Sequence, residues 1–550
     1  MAYVPASALK RRAYYRRQGY WGDATLADYW EMAVLSAPEK DAVVDAHGTC
    51  YSYAALDEAA GRVAAYLVQS GVAPGEFVSV QLPGWAEFMV VYIACLKAGA
   101  VINPICPGFR GKELCYILNK CSSRLLFLPA RFKGVDFGDG SAELIGQVPS
   151  LREVVLVGKD EVTPSGRSLG GILKEYEPLR AGRAAKADDL AAVLFTSGTE
   201  GVPKGVMLTH NNIIAAERAF AARINFSCFD VMLMPSPMGH AIGFHHGITL
   251  PFMFGAKTVL QDLFDPRVSL SLIARERCTC GMGTTPYVFD MLQELGHGEY
   301  DLSSLRYYLC GGAPVPRKLL TDAQQAGFRI IVVYGSTESV PHTATSPEDP
   351  PERVLSSDGA PVAGVEVKVV DPMRLPARVG EEVSRGPNVF VGYLNEPRLT
   401  EKVLDDEGWY YSGDLCRLDD AGYIRITGRK KDVIIRGGEN ISSCEVENVL
   451  LQHPNVREAA VVAMPDPRLG ERVCAFLVLC NPAQGLTLDE LKSFLATQDV
   501  SKYKYPERIE LREQLPRTES GKIKKFLLQG ELTAGVQPAQ RPDQKTAVSA

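Results

Sequence analysis

Strand-like and helix-like stretches alternate from about residue 25 to residue 195, and this alternation limits the possible folds more than any other feature. The sequence predicts, in order, a helix at Ala54–Gln69, a strand at Phe77–Gln81, a helix at Trp85–Lys97 and a strand at Val101–Pro104. Such an order is typical of α/β layers around a largely parallel sheet. The pattern continues through residues 211–340, with strands predicted at Thr258–Leu260 and Ile330–Tyr334 and a helix at Arg267–Glu276.

The texture changes after about Glu366, where short β-like pieces are separated by Gly and Pro turns. A charged turn at Gly428–Asp432 predicts a domain boundary, and the remaining residues suffice for a small α+β domain. We therefore expect an α/β protein with three parts. These are a large N-terminal domain (1–430) of layered α/β subdomains plus a β-rich subdomain, a small α+β C-terminal domain (431–532) and a disordered tail (533–550). The smaller elements predicted in these parts are strands at Val365–Val370, Tyr423–Thr427 and Ala459–Met464 and a helix at Ser443–Gln452.

Composition excludes several classes of protein. A net charge of −6 argues against a general nucleic-acid binder. The longest apolar run, Phe88–Leu96, is ended by Lys97 and is too short to span a membrane, so we expect at most a weak peripheral membrane contact. The 13 cysteines are scattered without a CxxC pair, and the basic N-terminus lacks the apolar core of a signal peptide. We expect a reduced, cytoplasmic protein without a structural metal site.

The most informative segment is Leu194–Gly205, with the sequence LFTSGTEGVPKG. A predicted strand ends in Ala191–Phe195 and leads into a run of hydroxyl and glycine residues that closes with a lysine. Backbone N–H groups, hydroxyls and an ammonium together suit phosphate oxygens. The spacing is not that of a Walker A loop, and the chain has no complete GxGxxG. The residues predicted to bind phosphate are Thr196, Ser197, Gly198, Thr199 and Lys204.

This segment resembles the phosphate-loop signature of the adenylate-forming superfamily, which includes acyl-CoA synthetases, nonribosomal-peptide adenylation domains and firefly luciferase. Other motifs of the superfamily follow in its order, so the resemblance extends from about residue 25 to residue 525. Within the superfamily the chain looks closest to bacterial short- and medium-chain fatty acyl-CoA synthetases. The resemblance implies an AMP-forming ligase of fatty acid metabolism that uses ATP, Mg²⁺ and coenzyme A.

The segment Tyr334-Gly335-Ser336-Thr337-Glu338 follows a predicted strand. Taken alone, Ser-Thr-Glu at this place is commonly a helix N-cap. The resemblance instead implies that Thr337 contacts the adenylate phosphate and that Glu338 binds Mg²⁺, with Tyr334 and Gly335 beside the nucleotide. A hard cation does prefer carboxylate and phosphate oxygens together.

Three further motifs are assigned to the nucleotide by the resemblance. Gly312 and Ala313, which follow the strand Tyr307–Leu309, would pack against adenine, although a plain turn is an equal alternative for either residue. Asp414 would accept hydrogen bonds from both ribose hydroxyls, where a lone Asp would otherwise be a turn cap. Arg429 would help to hold the ribose or phosphate, where a lone Arg would otherwise be a solvated charge.

The resemblance also assigns residues to catalysis. His240 would lie at the floor of the acyl pocket, whereas His245 and His246 lack motif support and are expected to be structural. Lys522, in the pattern P-x-x-x-x-G-K, would enter the active site while charge develops on the α-phosphate.

In the family the C-terminal domain is mobile and rotates between the two half-reactions. The resemblance places its hinge at Lys431. Gly437 and Gly438 would then let the pantetheine arm of CoA pass, and a plain β-turn is the alternative for these two residues.

The predicted function is an ATP-dependent acid–CoA ligase for a short- or medium-chain fatty acid. The alternatives left open are an aryl or alicyclic acid–CoA ligase, an adenylation enzyme that loads a carrier protein, and an inactive nucleotide-binding regulator. Pocket residues are expected in 238–247, 282–287 and 310–314, where Gly239, Gly243 and Gly283 suggest either room for substrate or a backbone requirement. The preferred acyl chain and the choice between monomer and dimer stay open at this stage.

Overall fold

The computed structural model describes residues 6–138, 140–158, 167–180, 185–196, 203–498, 500–518 and 521–533. The chain forms two compact units that divide between Ile426 and Thr427, and the segment from Lys522 belongs to the second unit. The passage from one unit to the other lies inside a strand rather than in an irregular linker.

The first unit contains the α/β layers and the β-rich part that the sequence predicts. Its strands are β1 (Asp41–Asp45), β2 (Cys50–Ser52), β3 (Phe77–Val80), β4 (Val101–Pro104), β5 (Leu125–Pro129), β6 (Arg131–Phe132), β7 (Val135–Asp136), β8 (Glu153–Val157), β9 (Arg167–Ser168), β10 (Leu190–Thr196), β11 (Lys204–Thr209), β12 (Val231–Met234), β13 (Lys257–Leu260), β14 (Cys280–Gly283), β15 (Tyr307–Gly311), β16 (Arg329–Ser336), β17 (Val340–Ala344), β18 (Ala360–Pro361), β19 (Glu366–Val370), β20 (Val379–Arg385), β21 (Gly392–Tyr393), β22 (Tyr410–Leu418) and β23 (Ile424–Arg429).

The helices of the first unit alternate with its strands along the chain. They are α1 (Ala6–Arg17), α2 (Leu26–Ser36), α3 (Tyr53–Gln69), α4 (Ala86–Ala98), α5 (Gly111–Cys121), α6 (Ser141–Gln147), α7 (Leu169–Glu175), α8 (His210–Ile224), a π-helix (Ile242–Thr249), α9 (Leu250–Phe254), α10 (Pro266–Glu276), α11 (Thr285–Glu294), α12 (Arg317–Gln325), α13 (Pro351–Ser356) and α14 (Pro397–Val403). Of the helices in the described residues, none is both long and apolar enough to cross a membrane.

Two large mixed sheets form the centre of this unit. One has the strand order β18-β17-β16-β15-β14-β12-β13-β1-β2, and β16, β15, β14, β12, β13 and β1 run parallel. The other has the order β21-β11-β10-β4-β3-β5-β8-β9, and its strands from β10 to β9 run parallel. The parallel centres confirm the predicted layering, because strands buried on both faces need helices above and below.

Helix α4 shows why the layers hold together. Every residue from Ala86 to Ala98 except Glu87 is buried, and the C-terminus of the helix is closed by Gly99 in a left-handed conformation with φ of 71°. A helix that is apolar on all sides belongs in the interior of a domain. The charged end of Lys97 is accommodated by an ion pair of 2.7 Å with Asp57 of α3.

The β-rich part of the first unit is an antiparallel sheet with the order β19-β20-β22-β23. Its strand β22 carries Asp414, so this residue lies in a strand and not in the turn that a lone Asp would suggest. Cross-strand bonds fix the register, for example Ser412 Oγ donating to the carbonyl of Glu382 at 2.8 Å.

The second unit is a small α+β structure, as predicted. Its elements are β24 (Val433–Arg436), β25 (Glu439–Ser442), α15 (Ser443–Leu450), β26 (Val456–Asp466), β27 (Gly470–Leu479), α16 (Leu488–Leu495), β28 (Arg508–Leu511), α17 (Lys525–Thr533) and 3₁₀-helices at Lys430–Asp432, Pro482–Gln484 and Lys502–Lys504. The sheet has the order β25-β24-β27-β26, and β28 pairs in parallel with β27. Of the predicted tail, Thr533 ends α17, and 534–550 lie outside the described residues.

Candidate active site

Four parallel strands of the first large sheet end at the same edge, and each is followed by a predicted site segment. His240 follows β12, Thr284 follows β14, Gly312 and Ala313 follow β15, and Thr337 and Glu338 follow β16. The segments are close in space, since a Cβ atom placed on Gly312 would lie 3.5 Å from Cγ2 of Thr284 and 3.7 Å from Cδ1 of Ile242. Ligands of open α/β sheets bind beyond the carboxyl ends of the strands.

The glycine at position 312 has a φ of 78°, which favours glycine over residues with a side chain. Its main chain is therefore bare at this edge, as a flat base would require. Among the described residues, the hydroxyl oxygen of Thr284 is buried and has no hydrogen-bond partner, so it can bond to a substrate.

Antiparallel pairing of β10 and β11 holds the two ends of the phosphate-binding segment together. Thr196 and Lys204 are direct Cα partners, so the loop leaves and re-enters the sheet at the same level. The other predicted residues of the loop, Ser197, Gly198 and Thr199, lie outside the described residues. The Lys204 ammonium lies 5.6 Å from the ring centroid of Tyr393, within the range of a cation–π contact.

Thr337 and Glu338 lie in the turn between β16 and β17, so the helix-cap interpretation of Ser336–Glu338 is wrong. The turn is tight because Gly335 approaches the opposite strand, where an added Cβ would lie 2.1 Å from the carbonyl oxygen of Val340. Glu338 is only 9% exposed, and the hydroxyl of Tyr393 donates to its Oε1 at 2.8 Å.

A single buried carboxylate suits magnesium better than it suits a metal held by protein alone. Among the described residues, no group of three or more His, Cys, Asp or Glu side chains is arranged to hold a metal ion. Mg²⁺ is commonly bound by one or two carboxylates together with substrate phosphates. Glu338 therefore fits this mode, with the remaining ligands to come from ATP and water.

Asp414 is 7% exposed and is fixed by two bonds. Its N–H donates to Ser412 Oγ at 3.1 Å, and its Oδ2 accepts from the hydroxyl of Tyr334 at 2.8 Å. Burial first, and then the nearby negative charges of Glu382 and Asp414, raise the pKa of Tyr334. The hydroxyl therefore stays protonated and donates, and a carboxylate fixed in this way presents its other oxygen in a defined direction.

His240 stands just before the π-helix and is partly buried. Its Nδ1 accepts a hydrogen bond of 3.2 Å from the N–H of Ile242, and its carbonyl accepts from Phe244. π-Helical segments are rare and frequently occur at functional sites. His245 and His246 lie in the core beside Glu217, with 3.1 Å between His246 Nδ1 and Glu217 Oε2.

The three glycines near the predicted acyl pocket stand where an added Cβ would meet close neighbours. A Cβ on Gly239 would lie 2.2 Å from the nitrogen of Cys106, and one on Gly243 would lie 2.3 Å from the carbonyl oxygen of Pro237. At Gly283 it would meet the Tyr308 hydroxyl at 2.8 Å. Of the two explanations left open by the sequence, the backbone requirement accounts for Gly239 and Gly243, whereas the close neighbours of Gly283 are side chains.

The remaining predicted residues belong to the second unit. Arg429 ends β23, Lys431 lies in the 3₁₀-helix Lys430–Asp432, and Gly437 and Gly438 form the turn between β24 and β25 with φ of 58° and 94°. Both glycines are thus in the left-handed region, which a β-turn explains and which leaves a bare main chain.

Lys522 belongs to the second unit, beside an antiparallel hairpin bridge between Arg517 and Ile523, and residues 519 and 520 lie outside the described residues. Two hydrogen bonds join Thr518 to the main chain of Lys522. The Thr518 N–H donates to the Lys522 carbonyl at 2.8 Å, and the Thr518 hydroxyl accepts from the Lys522 N–H at 3.1 Å. Arg517 anchors the hairpin to β26 through an ion pair of 2.5 Å with Glu458. The main chain of Lys522 is therefore bonded twice to Thr518, and its side chain is exposed.

Sequence reasoning missed Tyr393 and Thr518. Tyr393 stands in the run Val389–Leu394, which reads as core, and its contact with Glu338 depends on a pairing of β21 with β11 that no local pattern reveals. Thr518 stands four residues before Lys522, and hydroxyl residues are frequent in turns. A search for polar groups inside apolar runs would have singled out Tyr393.

Comparison with known proteins gives the family. Residues 30–394 match the model of the AMP-binding enzyme family, and residues 445–522 match that of the AMP-binding enzyme C-terminal domain. The medium-chain fatty-acid–CoA ligase of Escherichia coli strain K12 is 53% identical over 526 residues, which are 95% of this chain and 93% of that protein.

More distant relatives agree over most of the chain. The mitochondrial medium-chain acyl-CoA ligase ACSF2 of Homo sapiens is 30% identical over 542 residues, which are 92% of this chain and 87% of that protein. The crystal structure of ATP-bound MatB from Rhodopseudomonas palustris superposes with a TM-score of 0.84 at 29% identity, covering 94% of this chain and 100% of that one. The chain belongs to the AMP-binding enzyme family, that is, to the adenylate-forming superfamily that its motifs resemble.

Proposed function

We propose that this protein is an ATP-dependent, AMP-forming acid–CoA ligase that converts a medium-chain fatty acid to its acyl-CoA. The observation that carries the proposal is the meeting, at one sheet edge, of Thr337 and Glu338 with the Tyr334–Asp414 pair. Identity of 53% to the E. coli medium-chain fatty-acid–CoA ligase supports the acyl class.

In the first half-reaction the fatty-acid carboxylate attacks the α-phosphorus of ATP. A bond forms between the carboxylate oxygen and the α-phosphorus, and the bond between the α-phosphorus and the oxygen that bridges to the β-phosphorus breaks. Pyrophosphate leaves, and the other product is an acyl-adenylate. Asp414 would accept the ribose hydroxyls, Thr196 and Lys204 would bind the phosphates, and Lys522 would face the charge that develops on the α-phosphate. Bound Mg²⁺ supplies charge neutralisation on the phosphates, and Glu338 is the residue that would hold it.

In the second half-reaction the CoA sulfur attacks the acyl carbonyl, and AMP leaves with the bridging oxygen. The thiol proton is released to solvent, and no covalent intermediate with the enzyme is needed. A rotation of the C-terminal domain at Lys431 would remove Lys522 between the steps, and Gly437 and Gly438 would admit the pantetheine arm. His240 would lie beside the reacting carbonyl.

The test is a product analysis with purified protein, ATP and CoA. A panel of acids would include acetate, octanoate, palmitate, benzoate and cyclohexanecarboxylate, and AMP, pyrophosphate and the thioester would be quantified. We expect AMP and pyrophosphate, with octanoate the best substrate. ADP and phosphate would refute the proposal at its base, whereas a preference for benzoate or cyclohexanecarboxylate would favour the aryl or alicyclic alternative.

Replacing CoA with a phosphopantetheinylated carrier protein in the same assay tests the carrier-loading alternative. We expect thioester formation with CoA at the higher kcat/KM. A higher kcat/KM with the carrier protein would show that the enzyme loads a carrier protein instead. The cytoplasmic location stays a prediction.

A further inference from the structure

The segment from Asn388 to Tyr393 makes three hydrogen bonds to the turn that carries Glu338. Asn388 donates its side-chain N–H to the carbonyl of Ser339, and the Phe390 N–H donates to the carbonyl of Glu338 at 2.8 Å. The third bond goes to the carboxylate itself, from the Tyr393 hydroxyl to Oε1 at 2.8 Å. Main chain and side chain of Glu338 are thus held by one short segment.

The same segment is joined to the strand that follows the phosphate-binding loop. Tyr393 of β21 is the Cα partner of Val206 in β11, and the Leu394 N–H donates to the carbonyl of Gly205 at 2.8 Å. The ring of Tyr393 lies 5.6 Å from the Lys204 ammonium. Tyr393 therefore lies between the lysine of the phosphate loop and the carboxylate of the turn after β16, which belong to different sheets.

The Tyr393 side chain has a fixed direction. It is only 4% exposed, its ring packs on Phe390 with 4.9 Å between centroids, and its N–H donates to Thr400 Oγ1 at 2.9 Å. The hydroxyl is the donor of the 2.8 Å hydrogen bond to Glu338 Oε1, because a carboxylate oxygen accepts.

We propose that Tyr393 is a positioning residue that fixes the Glu338 carboxylate so that Oε2 is presented to the divalent cation and Oε1 is not. The inference rests on the proposed role of Glu338 and adds to it. While Oε1 accepts the hydrogen bond from Tyr393, the Glu338 carboxylate can bind the cation as a monodentate ligand through Oε2. Without that bond it turns freely and loses orientation before the cation arrives, and partners of metal ligands are typically worth about 10–100-fold in metal affinity.

The variant Tyr393→Phe removes the hydroxyl and keeps the ring. Mn²⁺ binding is measured by electron paramagnetic resonance, with a nonhydrolysable ATP analogue and no acid, so that no turnover is needed. We expect Mn²⁺ affinity to fall by about tenfold or more. In ATP–pyrophosphate exchange the Mg²⁺ concentration for half-maximal rate should rise similarly, while the rate at saturating Mg²⁺ returns to within a factor of about three of the parent rate.

Tyr410→Phe is the matched control. Tyr410 is also buried, at 5% exposure, and its ring also packs on Phe390, at 5.7 Å, but its hydroxyl lies 3.5 Å from Ser336 Oγ. The Tyr410→Phe variant loses a buried hydroxyl from the same aromatic cluster, and we expect its Mn²⁺ affinity to stay within about twofold of the parent value. Equal weakening in both variants would overturn the proposal, because general loosening of the cluster would then be the cause.

A double variant separates positioning from a folding defect. If Tyr393 acts through Glu338, Tyr393→Phe should add no loss of Mn²⁺ affinity in the background of Glu338→Gln, whereas a general defect would add. Unchanged Mn²⁺ affinity in Tyr393→Phe, with Glu338→Gln weakened, overturns the positioning role alone. Unchanged affinity in Glu338→Gln overturns the metal role of Glu338 in the proposed function and the positioning role with it.

Discussion

The hydroxyl of Tyr334 and the Oδ2 atom of Asp414 are joined by a hydrogen bond of 2.8 Å, although the two residues are 80 positions apart in the sequence. Tyr334 lies near the end of β16 in the first large sheet, and Asp414 lies in β22 of the β-rich part. The Tyr334 ring packs edge-on against His342 at 4.8 Å. This bond therefore joins the sheet edge where ATP is proposed to bind to the residue proposed to recognise ribose.

Tyr334→Phe should weaken ATP binding and spare the chemistry. The substitution leaves the ring in place and removes the donor to Asp414, and a hydrogen bond to a charged group contributes about 1.5–3 kcal/mol. We expect the KM for ATP to rise by about tenfold or more, with little change in kcat or in the KM for the fatty acid. Steady-state kinetics with each substrate varied in turn measures this.

Tyr411→Phe provides the control for that experiment. Tyr411 is next to Tyr410 in β22 and its hydroxyl lies 3.3 Å from Asp405 Oδ2, away from Asp414. The Tyr411→Phe substitution should leave the KM for ATP unchanged. If Tyr334→Phe raises the KM values for ATP and fatty acid equally, the hydroxyl supports the fold of the site rather than the direction of the carboxylate.

Gly239→Ala should damage the fold and leave the choice of acid unchanged. Its Cβ would lie 2.2 Å from the main-chain nitrogen of Cys106, and backbone atoms cannot move aside as a flexible side chain can. Overpacking of this kind costs about 1–3 kcal/mol or more. A lower thermal unfolding temperature with an unchanged order of preference across the acid panel is the expected result.

The comparison for this glycine is Gly146→Ala in α6. No atom lies within 4 Å of a Cβ placed there, so the substitution should be neutral or slightly stabilising. A changed acid preference in a stable Gly239→Ala protein would contradict the packing explanation and restore the idea that Gly239 makes room for substrate.

Local patterns predicted the elements of the fold well where burial alone decides them. The apolar run at Val101–Pro104 is the strand β4, and the predicted helix at Ala54–Gln69 is α3, which begins one residue earlier at Tyr53. These stretches are apolar on the faces that they bury, so their period and their flanking glycines carry the information. The predicted parallel order followed from the alternation.

The family resemblance assigns the residues of the candidate site, and local patterns alone do not. Ser336–Glu338 has the composition of a helix cap, and the structure has a hairpin turn there because β16 and β17 pair. The same composition is compatible with a helix cap and with a hairpin turn, since Ser and Thr hydroxyls form hydrogen bonds with nearby main chain in either structure. Contacts such as Tyr393 with Glu338 depend on which strands are neighbours, and this is set by the whole sheet.

Stability of the first unit should depend on pH through His210. Its ring is 3% exposed, and Nδ1 accepts a bond of 3.2 Å from the Leu26 N–H, which requires an unprotonated nitrogen. Burial lowers the pKa of His210 from 6.5 to about 4. Between these values the unfolded chain binds more protons than the folded one, so stability is full above pH 6.5 and is lost as the pH falls towards 4.

The size of this effect follows from the shift, at about 1.4 kcal/mol for each pH unit and about 3 kcal/mol in all. His210→Asn keeps an acceptor oxygen and does not titrate. Between pH 7 and pH 5 the melting temperature of this variant should fall less than that of the parent protein, and His297→Asn, at an exposed position, should behave as the parent does. A parallel decline in all three proteins would exclude His210 as the source.

Lys522→Ala should separate the two half-reactions. Its ammonium is proposed to face the charge that develops on the α-phosphate, and removing one such stabiliser costs a factor of about 10²–10³ in rate. ATP–pyrophosphate exchange with octanoate should fall by that factor or more, whereas thioester formation from supplied octanoyl-AMP and CoA should be nearly unchanged. Lys502→Ala, which removes an exposed lysine from the same unit, should alter neither reaction.

Two further variants test whether the effect of Lys522 depends on its placement and on the movement of its domain. Thr518→Val removes the hydroxyl that accepts the Lys522 N–H at 3.1 Å and keeps the lysine. If the hairpin places Lys522, this variant should slow adenylation alone and by less than Lys522→Ala does. Lys431→Pro fixes φ at the proposed hinge, so it should spare adenylation and slow the thioester step. Loss of both half-reactions in a folded Lys522→Ala protein would contradict the alternation, because a residue needed only while the adenylate forms cannot affect a step that begins from the adenylate.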